Sequence, residues 1–254
     1  MNADMNGTTA LDVVLPDLAG EPYEQVLARM HKTLKPETYL EIGCWTGGSL
    51  ELSSARTIAV DPQFRLPTSV IGQKPACLMF QMTSDAFFRQ YSPSALLGQP
   101  LDMAFLDGMH LAEFLLRDFI NTERHCRKNS VIFLHDCAPV DATITDRAIE
   151  TERRRTGNHP GWWAGDVWKT VVTLKAARPD LMFTAWDAAP TGLIGITNLD
   201  PTSTVLADRY FDLVKPYESL DLQDYGIRRY FSEINLQSTQ TIQSTEDIAA
   251  LFWL

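Results

Sequence analysis

The sequence predicts an α/β protein built on a mainly parallel seven-stranded sheet, and three observations carry that prediction. Short apolar runs recur along the 254 residues at 39–43, 56–60, 77–81, 101–106, 130–135, 181–186 and 192–197. Helix-like or loop-like segments separate them, which is the βα alternation of a parallel sheet. The last two runs are joined only through Asp187–Pro190, too short for a crossover helix, so they pair antiparallel and close the sheet.

In chain order, residues 1–20 mix Asn, Asp, Thr, Gly and Pro and read as a flexible or loosely docked arm, followed by an amphipathic helix over about Tyr23–Leu34. The first strand runs into Tyr39–Ser49, YLEIGCWTGGS. Leu40 and Ile42 alternate with Glu41, Gly43 ends the strand, Gly47 and Gly48 let the backbone approach a ligand, and Ser49 starts a helix. The glycine spacing is not G-x-G-x-x-G, which disfavours a dinucleotide. Glu41 is instead suited to accept a hydrogen bond from a cationic group, such as the amine of an amino-acid moiety. The second strand ends in Asp61, where an acid commonly binds both hydroxyls of a ribose; capping or turn formation stays open for it. Met82–Phe88 follows the third strand, with a helix N-cap at Ser84 or Asp85 as its plain structural reading.

The fourth strand ends in Phe105–His110, FLDGMH, and the fifth in Phe133–Cys137, FLHDC. Ligands of open α/β sheets bind beyond the carboxyl ends of the strands, so Asp107, His110, His135 and Asp136 should converge on one cleft. Histidine beside acids suits general-base chemistry, with a neutral imidazole taking a proton from an acceptor hydroxyl. Further on, Gly161–Lys169, GWWAGDVWK, opens a helix to about Ala177. Its three tryptophans suit stacking on a sugar or aromatic face; Asp166 as an N-terminal helix carboxylate and Trp168 as a core residue are the structural readings.

A net charge of −10 argues against a nucleic-acid partner, and the one basic run, Arg153–Arg155, follows Glu150 and Glu152 as a solvated helix end would. Cys44, Cys77, Cys126 and Cys137 form no C-x-x-C pair and read as reduced thiols of a cytoplasmic protein. No signal region and no apolar run near the ~20 residues of a membrane span is present, so neither secretion nor insertion is expected. The aromatic tail predicts one or two helices packed on the core or on a partner subunit of a homo-oligomer. The expected division is an arm over 1–20, a ligand-binding domain over 21–200 and an extension over 201–254.

Glu41-x-Gly43-x-x-x-Gly47 followed by Asp61 resembles motif I and its successor in class I S-adenosylmethionine-dependent methyltransferases. Trp45, in place of the usual middle glycine, is similar to the aromatic of the catechol-type O-methyltransferase branch, where Ser49 falls at the position that meets the methionine carboxylate. The resemblance covers roughly residues 35–200. It implies a Rossmann-like sheet with its last strand antiparallel, helices on both faces and a C-terminal helical extension. It also implies S-adenosyl-L-methionine as cofactor, held by Glu41, Gly43, Trp45, Gly47, Gly48, Ser49, Asp61 and Asp107, with Ser84 and Asp85 framing the adenine.

Asp107, His135 and Asp136 fall on the metal-binding positions of that branch, but the family acid has become His135 and its amide Asp136. An imidazole moves the preference from Mg²⁺ toward Mn, Fe or Zn, so a divalent metal is an open expectation. His110, at the position of the branch's catalytic lysine, is the first candidate for the base. The D-G-x-H and H-D patterns are closer to a bacterial group associated with small-molecule and glycan tailoring. The resemblance therefore implies methylation of a hydroxyl on a small molecule or saccharide. Two rivals stand beside it: a metal-dependent hydrolase or lyase using Asp107, His110, His135 and Asp136, and a non-catalytic assembly protein that keeps the cofactor pocket.

Overall fold

The computed structural model describes residues 18–66 and 70–254, so the arm expected over 1–20 lies outside the described residues except at its end. The apolar runs form β1 Thr38–Ile42, β2 Arg56–Val60, β3 Cys77–Phe80, β4 Leu101–Leu106, β5 Cys126–His135, β6 Met182–Trp186 and β7 Leu193–Thr197. They make one sheet in the order β3-β2-β1-β4-β5-β7-β6. β1 pairs parallel with β2 and β4, β2 with β3, and β4 with β5, whereas β7 runs antiparallel to β5 and β6. Strand order reverses at β1, and a crevice between diverging connections opens beyond its carboxyl end and that of β4.

The helices along the sheet are α1 Tyr23–Leu34, α2 Gly48–Glu51, α3 Ser84–Gln90, α4 Pro93–Leu97, α5 Ala112–Glu123, α6 Glu152–Thr156 and α7 Trp168–Ala177. Beyond β7 come α8 Val205–Asp208, α9 Tyr210–Val214, α10 Leu222–Tyr225, α11 Ile227–Ile234 and α12 Thr245–Leu251. Every residue of β1, β4 and β7 is buried, because helices cover both faces. One face packs against Phe87, Leu116, Phe119, Trp168 and Tyr230 of α3, α5, α7 and α11; the other packs against Val26, Leu27 and Met30 of α1 and Ile248 of α12.

Three expectations are corrected. The tail folds into five short helices rather than one or two, because Asp221 and Ser244 cap new helices and Gly226 and Asn235 take left-handed conformations that end the old ones. The basic run is not a solvated end: Arg155 is exposed, but Arg153 pairs with Asp146 and Asp221, and buried Arg154 donates to the Trp162 carbonyl. The cap of α3 is Thr83, whose side chain accepts from the Ala86 amide, rather than Ser84 or Asp85. All four cysteines are free thiols, and no helix among the described residues is long and apolar enough to cross a membrane.

Phe252 ties the end of the chain to the sheet. It is 1 % exposed and meets Phe133 and Trp186 edge to face, each with centroids 6.0 Å apart. Gly195 leaves it room, since a Cβ there would lie 2.8 Å from the Phe252 ring. Phe252→Ala should lower the unfolding free energy by about 3–5 kcal/mol in urea denaturation. A loss below about 1 kcal/mol would show that the tail adds little to the core.

Candidate active site

Two groups of polar residues meet at the carboxyl ends of the strands. The first surrounds the glycine-rich turn after β1. Glu41 is fully buried, and both its oxygens are taken: the Tyr39 hydroxyl donates to Oε2 over 2.7 Å and the Ser49 hydroxyl to Oε1 over 2.8 Å. Burial raises its pKa to about 7, against the lowering effect of those two hydrogen bonds. Glu41 thus braces the turn from inside, where the sequence suggested direct contact with a ligand amine. Asp61 does the same from β2, its Oδ2 accepting from the Trp45 amide at 2.8 Å and its Oδ1 from the Gln63 amide at 2.6 Å.

The glycines have separate tasks. Gly43, at φ +87°, lets β4 approach, since a Cβ there would lie 1.9 Å from the Asp107 carbonyl oxygen. Gly47, at φ +82°, makes room for Leu66 and Val70 of the chain itself rather than for a ligand, as a Cβ would come within 2.8 Å of both. Gly48 faces open space and Trp45 is 60 % exposed, so this side of the turn is where a ligand fits. Asp85, expected near that ligand, is turned to α5, where Arg117 grips it at 2.9 and 2.8 Å. Ser84 opens α3, and Asp118 is a buried α5 carboxyl whose Oδ1 has no protein partner.

The second group is the acid–histidine cluster. His110 Nε2 lies 3.3 Å from Asp107 Oδ1, and its Nδ1 lies 3.1 Å from Asp136 Oδ2 and 3.0 Å from the Trp163 carbonyl. His135 Nδ1 lies 3.2 Å from Asp107 Oδ1, while its Nε2 is buried without a partner. Both nitrogens of His110 face only oxygens, the surroundings of an imidazolium. Burial opposes that charge, but Asp136 and Asp107 outweigh it and raise the His110 pKa to about 10; the same contest raises His135 to about 8. Asp107 is itself well below the usual carboxylate range: burial works against ionisation, and the two histidines overcome it.

Backbone strain aims these side chains. His110 and Asp136 have φ of +56° and +57°, unusual for residues with a side chain. Gly165 clamps the first from behind, since its Cβ would lie 1.8 Å from the His110 carbonyl oxygen. Thr191 donates to Asp136 Oδ1 at 2.5 Å, leaving Oδ2 for His110. The Trp163 ring stacks on His110 at 5.1 Å and is held by its own Nε1–H on the Asp146 carbonyl. One donor atom each from Asp107, His110 and Asp136 falls within 4.8 Å of the others, a set able to hold a metal ion. His110 thus joins that set, where the sequence suggested His135.

Tyr23, Tyr39 and Asp118 were not singled out by sequence, and Trp163, expected to stack on a ligand, stacks on His110. The Tyr23 ring of α1 lies against His135, with centroids 4.0 Å apart and the planes tilted by 38°, a contact that no local pattern announces. Tyr39 was legible, because it lies two residues from Glu41 on the same strand face. Asp166 and Trp168 are structural: Asp166 caps α5 through the Ala112 amide and pairs with Arg147 and Lys169, and Trp168 is core. A cavity of about 460 Å³ between α5, α7 and α9 is larger than the space at the cluster. Each of its cations already has a carboxylate, Arg117 with Asp85 and both Arg147 and Lys169 with Asp166, so the chemistry is assigned to the strand ends.

Residues 40–137 match the protein family described as a methyltransferase domain. Among solved structures, a Podospora anserina methyltransferase bound to SAH (S-adenosylhomocysteine) is similar at a TM-score of 0.50 and 14% identity, over 70% of this chain and 78% of that one. A Bacillus cereus O-methyltransferase in complex with SAH gives 0.47 and 18% over 72% and 84%. A Streptomyces achromogenes O-methyltransferase involved in tomaymycin synthesis, in complex with SAM, gives 0.47 and 17% over 72% and 82%. No curated protein matches in sequence.

Two outcomes are expected from this geometry. Gly165→Ala should cost about 2 kcal/mol or more in chemical denaturation, from a left-handed backbone and a backbone clash together; an unchanged midpoint would show that the His110 loop yields freely. The second is a pH effect. A histidine with a raised folded pKa contributes stability in full below its unfolded value of 6.5 and loses it as pH rises through about 10. In metal-free buffer the stability margin of wild type over His110→Asn should therefore shrink from pH 7 toward pH 10; a constant margin would remove the imidazolium.

Proposed function

We propose that the chain is an S-adenosylmethionine-dependent methyltransferase, a reading supported by the match of residues 40–137 to a methyltransferase domain, and that it methylates a hydroxyl group of a small molecule or saccharide, with His110 taking the hydroxyl proton. The observation that carries this reading is the place of His110, between Asp107 and Asp136 and under the Trp163 ring, at the ends of β5 and of β4, the strand beside β1. The methyltransferase reading sets aside the hydrolase or lyase rival.

The chain fits the cofactor on its own evidence. Gly48 borders open space, Trp45 presents an exposed ring, and the Glu41–Ser49 and Asp61–Trp45 hydrogen bonds hold the turn rigid beneath them. S-adenosylmethionine supplies an already activated methyl on a sulfonium, so the protein's share is orientation and proton removal. The turn fixes one reactant, Trp163 limits how the other approaches, and in-line transfer between them is favoured by holding both.

The acids decide the state of His110. While Asp107 and Asp136 carry unshared charge they keep it protonated, and any positive charge brought beside them lets it become neutral, the form that accepts a proton. The same three residues fit a divalent cation with mixed nitrogen and oxygen donors. A bound cation would act as a Lewis acid that lowers the pKa of a hydroxyl beside it. This second reading makes His110 a ligand.

Calorimetric titration with S-adenosylhomocysteine, with EDTA and with Mn²⁺, tests the cofactor reading, and turnover in the same two conditions separates the two roles of His110. Binding is expected in both conditions. Under the base reading, His110→Asn should lower methyl transfer to a panel of phenols and glycosides by about 100-fold or more while leaving cofactor affinity within about twofold. Turnover that survives in the variant, or that EDTA abolishes and Mn²⁺ restores, would take His110 out of the base role.

A further inference from the structure

We infer that Tyr39 is a positioning residue for the cofactor: through Glu41 it fixes Ser49, and with Ser49 the glycine-rich turn. The inference rests on the methyltransferase reading above. Tyr39 and Glu41 point from the same face of β1, one pleat apart, and neither reaches solvent. The Tyr39–Glu41–Ser49 chain of hydrogen bonds therefore runs from the interior of the strand to the first turn of α2 without an alternative partner in water.

Asp61 holds the Trp45 end of the turn, and the Glu41–Ser49 bond holds the end that enters α2. Gly47 is left-handed, its amide donates to the Cys44 carbonyl at 2.6 Å, and its carbonyl accepts from Glu51 of α2 at 2.9 Å. Movement of Ser49 thus carries Gly47 and Gly48 with it. His31 packs edge-on against the Tyr39 ring at 4.7 Å, which fixes the direction of the hydroxyl from the other side. Without that hydroxyl, Glu41 Oε2 would be a buried acceptor with no donor, and the carboxyl would move or take up a proton.

Burial raises the Glu41 pKa, and the Tyr39 and Ser49 hydrogen bonds and Lys74 oppose the rise while Asp107 adds to it. Glu41 also bears on Tyr23, Cys44 and Cys77. Loss of the Tyr39 donor moves Glu41 further toward its neutral form, a weaker acceptor for the Ser49 hydroxyl, which loosens the turn.

The test is calorimetric titration of S-adenosylhomocysteine into wild type, Tyr39→Phe, Ser49→Ala and the double variant, each between about pH 6 and pH 8.5. Tyr39→Phe should weaken binding about tenfold, the scale of one buried hydrogen bond. Its rise of affinity with pH should be displaced to higher pH. The double variant should bind no more weakly than the weaker single, because both act on one carboxylate. Additive losses, or a Tyr39→Phe profile of wild-type shape, would overturn the inference. Should Tyr39→Phe not fold, Glu41→Gln replaces it, with an affinity independent of pH expected and a wild-type profile overturning the claim. Wild type that binds no S-adenosylhomocysteine would defeat the cofactor reading itself, a result read from one titration alone.

Discussion

The site is organised by the need to keep the partly buried carboxylate of Asp107 and the buried one of Asp136 beside each other at the ends of β4 and β5. Two negative charges in a place with little water repel each other and lose hydration, so each must find donors or positive charge nearby. His110 and His135 supply both, and much of the local backbone follows from bringing them there. His110 and Asp136 adopt left-handed conformations, Gly165 yields space behind His110, and Gly43 lets β1 close against the Asp107 carbonyl. The strain is held by the sheet, whose central strands are buried along their whole length.

The glycine-rich turn is governed by a different balance. Its acids, Glu41 and Asp61, act as internal braces, each spending both oxygens on the chain. A turn built this way presents a rigid outer surface, on which Gly48 borders open space and Trp45 is exposed. In the proposed methyl transfer, rigidity here and strain at the acid–histidine cluster would serve the same end, since transfer from an activated donor depends chiefly on how well two reactants are held in line. The two groups are separated by little more than the Gly43–Asp107 contact, so a change in one is felt by the other.

The strands and the antiparallel β7 were legible because apolar alternation and loop length depend on neighbours in sequence. So were Asp107, His110, His135 and Asp136 as one cluster, because strand ends in a parallel sheet lie side by side. Residues 198–254 were legible as an apolar helical extension, but not in the number of its helices. Their five helices depend on caps and left-handed residues whose effect shows only when the segment wraps the core, and Phe252 finds its place because Gly195 is opposite it.

By itself, the sequence determined the sheet, its order of helices and strands, and the set of residues that can carry the chemistry, all of which follow from periodicity and chain direction. Only the tertiary structure decided what each residue does within that set. It turned Asp85 toward Arg117, gave Gly47 to Leu66 and Val70, and brought His110 between the two acids with Trp163 above it. It also carried Tyr23 from α1 onto His135. The physical reason is that a side chain's role is set by the few groups within hydrogen-bonding or packing distance, and most of those come from segments far away in the chain.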